Sequence, residues 1–143
     1  MRGLIRRFRK ARSGQALVEF ALVVPILLLL LLGIMDFARA WNLHQVMTDA
    51  AREGARKAVM FDPSTTKDSV LAVVGAILKS GGYPPAQAKV SFPDGFHAGR
   101  GQITTVRVVM NYRFGFLAPF VKLVKADGSN TMTLITAASM RNE

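Results

Sequence analysis

Sixteen consecutive residues, Phe20 to Met35, carry neither a charge nor a strongly polar group. Extended back to Ala16 the run reaches twenty residues and takes in one carboxylate, Glu19. At about 1.5 Å of rise per residue, a helix of about 20 residues spans a hydrocarbon core of ~30 Å. No other stretch of this chain is as restrictive, because so apolar a helix must be buried in protein or in lipid. The roughly one hundred residues after it have an ordinary soluble composition, enough for one small core.

The charge is placed to match. Arg2, Arg6, Arg7, Arg9, Lys10 and Arg12 precede the run with no acid among them, whereas from Gln15 onward there are thirteen basic and nine acidic residues. The net charge of +10 is therefore largely a local block beside an apolar segment. Such a block is a topology signal that keeps the N-terminus in the cytoplasm against the anionic leaflet and sends Asp36 onward to the other side. No interleaving of aromatic and basic residues points to nucleic acid. Cysteine is absent, which excludes disulfides and thiolate metal sites.

Three readings of the segment stay open on these grounds. It can be a plain single-span anchor. It can be a cleaved secretory signal, since Ala38-Arg39-Ala40 has the small-x-small pattern for a cut before Trp41, although the apolar region is long for such a signal. The third reading starts from Gly14-Gln15-Ala16-Leu17-Val18-Glu19-Phe20, which resembles the class III signal of type IV pilin-like proteins. The resemblance implies cleavage after Gly14 by a membrane prepilin peptidase, which makes Gln15 the first residue and Glu19 the fifth. The cut would remove the basic anchor and leave the apolar helix free to pack into an assembly. Glu19 suits the positive end of that helix and could pair with a neighbour's freed amino group where water is excluded. A glycine at 14 would let the backbone enter a protease cleft in extended form. Without processing, Glu19 is a carboxylate at the headgroup boundary, reaching outward at little cost.

The wider run GQALVEFALVVPILLLLLLGIMDFARA is similar to the N-terminal region of the TadE-like family of Tad, or Flp-type, pilus assembly systems. Asp49-Ala50-Ala51-Arg52-Glu53-Gly54-Ala55-Arg56 and the strand pattern Thr133–Arg141 resemble that family too. The family implies a minor pilin or pseudopilin of the bacterial inner membrane, acting in pilus assembly, surface adhesion and biofilm formation. Its implied partners are the prepilin peptidase, sister minor pilins, the major pilin, inner-membrane platform proteins and the lipid bilayer, with no cofactor and no nucleic acid. An unprocessed single-span protein with an extracytoplasmic binding domain is the alternative.

The expected fold is α+β and pilin-like: a long N-terminal transmembrane and stalk helix, a second helix and a small antiparallel sheet. The expected divisions are a basic leader over 1–14, a transmembrane helix over 15–35, a stalk helix over 36–61 and a head over 62–143. Val46, Ala50, Gly54 and Ala58 recur every fourth residue, flanked by Met47, Ala51 and Ala55. The small ridge Ala50, Gly54, Ala58 permits close packing, and packing on the domain's own sheet is favoured over a contact between subunits. Arg52, Glu53, Arg56 and Lys57 form a solvated face. If the two helical patterns join, a rod of about 45 residues and roughly 70 Å results. Pro25 removes one backbone hydrogen bond, so it either kinks the rod or is a tolerated transmembrane proline. Glu19, Phe20 and Pro25 are the expected assembly residues.

Asp62-Pro63-Ser64 should end the first helix near Met60, with Ser64 or Thr65 capping a second through about Lys79. That helix presents Val70, Val73, Val74, Ile77 and Leu78. Strands are expected at Lys89–Phe92, Ile103–Phe114 and Thr131–Arg141, with Val106, Val108, Met110, Tyr112 and Phe114 on the dry face. Between the last two, Gly115–Val124 is unusually apolar for a connection, and reads as a docking surface or as a turn tucked under the sheet. His44 and His97 lack ligand spacing, Gly95–Gly101 reads as a connecting loop, and no catalytic motif is present.

Overall fold

A computed structural model of the chain describes residues 2–60, 65–96, 101–126 and 128–142, with side chains from residue 14 onward. Asp62-Pro63-Ser64 and His97–Arg100 lie outside the described residues. The elements, in chain order, are α1 (Arg2–Ala58), α2 (Lys67–Ser80), a short 3-10 turn (Pro85–Gln87), β1 (Lys89–Ser91), β2 (Ile103–Arg113), α3 (Ala118–Val124) and β3 (Thr131–Arg141). The three strands form one antiparallel sheet in the order β1-β2-β3. A long apolar N-terminal helix, a second helix and a three-stranded antiparallel sheet are the α+β arrangement expected from the sequence.

The transmembrane and stalk patterns join without a break. α1 runs for 57 residues, about 86 Å at the usual rise, and passes through Pro25 as helix. It ends at Ala58, two residues before the expected Met60. Its two halves differ in surroundings. From Ala40 onward one face is built into the head: Leu43, Met47, Ala50, Ala51, Ala55 and Ala58 are buried. The spacing of these residues is the helical repeat read from the sequence, and it brings α1 against both α2 and the sheet.

The small residues decide how close that approach is. A Cβ added at Gly54 would stand 2.7 Å from Val74 Cγ2 and 3.4 Å from Val106 Cγ1, so the glycine is where α1 meets α2 and β2 together. Ala50, Gly54 and Ala58 are all buried inside the molecule's own core. α2 contributes Val70, Val74 and Leu78 from its opposite side, while Val73 and Ile77 are half-buried.

The cap of α2 needs correction. Thr66, one residue beyond the expected Thr65, is the N-cap, with its Oγ1 accepting from the Ser69 N–H and Ser69 Oγ accepting from the Thr66 N–H. The capping box requires a polar side chain three residues on. Thr66 finds it in Ser69, and both reciprocal hydrogen bonds are made. Thr65 is buried instead.

In β2, Val106, Val108, Met110 and Tyr112 face the core, and the register sets them opposite Ala138, Thr136, Leu134 and Met132 of β3. The other face is wet: Arg107, Asn111 and Arg113 are exposed, and Thr133 Oγ1 donates to Asn111 Oδ1 across the strands at 2.9 Å. One-sided burial of this kind is what an antiparallel sheet under two helices requires. The apolar Gly115–Val124 stretch is not merely a turn, since most of it is helix α3.

Candidate functional site

Two features of α1 stand outside the work of filling the core. The first is its bare N-terminal half. No residue in the most apolar stretch of this helix is buried in the rest of the protein, and side chains such as Leu17, Phe20, Leu22 and Ile26 are about two-thirds exposed. A row of large apolar side chains in that state is the signature of a surface meant for lipid or for another apolar helix. This half of α1 is long and apolar enough to cross a membrane.

At its head, Gly14 is helical rather than extended, and nothing lies within 4 Å of the place a Cβ would take. Entry into a protease cleft in extended form therefore starts from helix at Gly14. A helix is continuous on both sides, and an extended conformation there has to be reached by unwinding. Gly14 lowers that cost, being worth about 1 kcal/mol less than alanine within a helix. Glu19 lies one turn beyond Gln15 and accepts a hydrogen bond from Gln15 Nε2 at 3.1 Å. Both are exposed, as is Phe20, and Pro25 lies five residues further inside the same uncovered stretch.

The second feature is a buried carboxylate where the apolar run ends. Asp36 is fully buried. Its Oδ2 accepts the Leu117 N–H at 2.8 Å, and its Oδ1 accepts the Gly115 N–H at 3.2 Å and the Tyr112 hydroxyl at 3.3 Å. The same hydroxyl lies 3.0 Å from the Asp36 main-chain oxygen. Burial pushes this carboxyl up, but the N–H groups of Leu117 and Gly115, the Tyr112 hydroxyl and the Phe116 N–H outweigh it and hold the pKa below its usual value. Burial first, and then the Asp36 charge, push the Tyr112 phenol up. Arg39, one turn further on, places its guanidinium 4.8 Å from the Phe116 ring centroid, a contact worth about 0.5–1 kcal/mol.

Together these residues clasp the start of the β2–β3 connection to α1. Gly115 sits against the clasp, the position of a Cβ there being 3.4 Å from Asp36 Oδ1 and 3.6 Å from Arg39 Nη1, ordinary contact distances. The connection also reaches toward the bare half of the helix, where Leu117 Cδ1 lies 3.7 Å from the Cβ position of Gly33. In the sequence Asp36 is only the first charge after the apolar run, and Arg39 follows three residues on. One signal was available, for Asp36 is the only acid between Glu19 and Asp49. Its partners are mostly backbone N–H groups 79 and 81 residues away, which leave no mark in side-chain patterns.

The remaining candidates do not gather into a reactive site. His44 is half-buried on α1 with its ring 6.2 Å from that of Trp41. Arg52 pairs with Asp49 and Arg56 with Glu53 on the solvated face. Among the described residues no group of three His, Cys, Asp or Glu side chains could hold a metal ion.

The profile of one family, TadE-like protein, matches residues 14–56. No curated protein and no solved structure matches the chain. The match opens at Gly14, includes Glu19, the bare helix and Asp36, and closes at Arg56 in the buried part of α1. Residues 14–56, which hold the exposed helix and most of its continuation into the head, are thus similar to the TadE-like protein family.

Proposed function

We propose that this chain is a minor pilin or pseudopilin of a Tad-type pilus system. It inserts in the bacterial inner membrane with its N-terminus in the cytoplasm and spans it once through residues 15–35. A prepilin peptidase trims it after Gly14, and the head contacts sister pilins outside. The observation that carries the reading is the bare half of α1 in a TadE-like segment. An apolar helix with no cover of its own is stable in lipid, and once the basic leader is removed it can exchange lipid for neighbouring helices. The membrane-platform and major-pilin contacts implied by the family, and the role in adhesion and biofilm, follow from that placement.

Glu19 sets the register of that exchange in this reading. In the intact chain it holds the Gln15 side chain. Cleavage would give Gln15 a charged amino group, which Glu19 of a neighbour can take up away from water, where an unpaired carboxylate is costly. A secreted product beginning at Trp41 is disfavoured, because that cut would discard Asp36 and leave Tyr112, Gly115 and Leu117 without their shared acceptor.

The N-terminal residue of the mature protein from its native host is the decisive measurement. Gln15 at the start is expected. An intact Met1 chain would replace this reading by the unprocessed single-span protein, and Trp41 would replace both. Glu19→Ala should leave membrane insertion intact, read by carbonate extraction, and reduce surface pili. Unchanged piliation would remove Glu19 from the assembly.

A further inference from the structure

We infer that α3 is a second, interfacial membrane contact, lying in the outer leaflet beside the point where α1 leaves the bilayer. The inference rests on the span proposed for residues 15–35, and three independent placements lead to it. The clasp at Asp36 fixes the start of the connection at the end of the apolar run. Leu117 then reaches Gly33, three residues back along α1 and inside that run, about 4.5 Å further toward the membrane. Leu32 and Gly33 are half-buried there, amid exposed neighbours. α3 starts at the next residue, Ala118, so it is rooted at a depth that α1 already assigns to lipid.

The two sides of α3 are unlike. Leu117 and Val121, four apart, are half-buried toward the protein. Phe120, Leu123 and Val124, at the three-and-four spacing of one helix face, are 49%, 84% and 85% exposed. Phe116, one turn before Phe120, is also exposed. In water such a face would be a liability; at a bilayer surface it is an anchor of the amphipathic kind. The aromatic pair Phe37 and Trp41 follows on α1, about 6 and 12 Å beyond Gly33, both exposed and stacked with ring centroids 6.1 Å apart, as aromatic belts do at the headgroup layer. Lys122 is exposed between the apolar positions, and its long stem lets the ammonium reach the lipid phosphates. The occupant is therefore the bilayer that α1 crosses. The consequence is mechanical: clasp and anchor together would fix the tilt of the head on the membrane, and α3 must leave the lipid when the subunit does.

The absence of cysteine allows a direct test on the full chain. Single variants Leu123→Cys and Val124→Cys carry an environment-sensitive NBD label, with Thr133→Cys as the exposed control and Leu28→Cys as the control for the span. Each is reconstituted at one chain per nanodisc of phosphatidylethanolamine and phosphatidylglycerol. The labels at 123 and 124 should shift to the blue, lose quenching by aqueous iodide, and be quenched by doxyl lipid labelled near the headgroup, while the label at 133 stays iodide-accessible. Iodide access at 123 and 124 with Leu28 quenched by deep doxyl lipid overturns the inference and leaves the span standing. Protection that appears only with two chains per disc overturns it in favour of a second copy. A label at Leu28 that no lipid quenches overturns the span and the anchor together.

Discussion

Asp36 shows how one side chain can tie two parts of a molecule together. Its carboxylate accepts backbone N–H groups that would otherwise lose water at the edge of an apolar segment, and hydrogen bonds to a charged group are worth about 1.5–3 kcal/mol each. Asp36→Asn keeps the shape but turns one oxygen into a donor facing other donors. It should lower stability by about 2–3 kcal/mol, read as a shift in the urea midpoint of the detergent-solubilised chain. The pH dependence follows from the direction of the shift. Because the folded carboxyl titrates below its unfolded value, its stabilisation is fully present above about pH 4. It is lost as pH falls through the lower folded pKa. The wild type should therefore lose stability in that acid window, and the Asn variant should lose less over the same window. Equal slopes in the two proteins would remove the charge from the clasp. Tyr112→Phe deletes one donor to the same group and should cost about 0.5–1.5 kcal/mol.

Among the elements, α1 and α2 were legible because helical periodicity is local. Met47, Ala51 and Ala55 on one helix and Val70, Val74 and Leu78 on the other repeat at the spacing of a buried face. The exact cap was less legible, since Thr65 and Thr66 are both good cap residues and the choice rests on the partner, Ser69. Thr66→Ala should destabilise the head by about 1 kcal/mol, measured by thermal unfolding. Gly54 is a sharper test of packing. Alanine there gains about 1 kcal/mol of helix propensity, but its methyl would meet the buried, stiff Val74 at 2.7 Å. Overpacking costs about 1–3 kcal/mol, so Gly54→Ala should be destabilising overall and Gly54→Val more so. A stabilised alanine variant would mean that α1 and α2 move apart freely. α3 was not legible as a helix, for its seven residues are too few to display a repeat, and an apolar connection has several possible uses.

At the scale of the whole molecule, α1 serves two environments with one continuous rod. Among the described residues its bare half, up to Met35, has none that is buried, while the half from Ala40 onward is part of the head's core. The head therefore depends on α1 but not on the bare half. A fragment beginning at Gly33 should fold with the circular dichroism of the intact head. One beginning at Trp41 should be less stable by about the cost assigned to Asp36, roughly 2–3 kcal/mol. Equal stability of the two fragments would show that the clasp matters only when the helix is in a membrane.

The sequence by itself determined which stretch of this protein is left without cover and which residues line the faces of its helices and strands. These depend on composition and on repeats of two and of three to four residues, which are local properties of a chain. Only the tertiary structure decided that Asp36 is an acceptor for N–H groups some eighty residues away, that Gly54 sets the distance between α1 and α2, and that α3 is rooted at the level of Gly33. The physical reason is the same in each case: contacts between distant segments, several of them made by backbone atoms or by the absence of a side chain, exist only after the chain has brought those segments together.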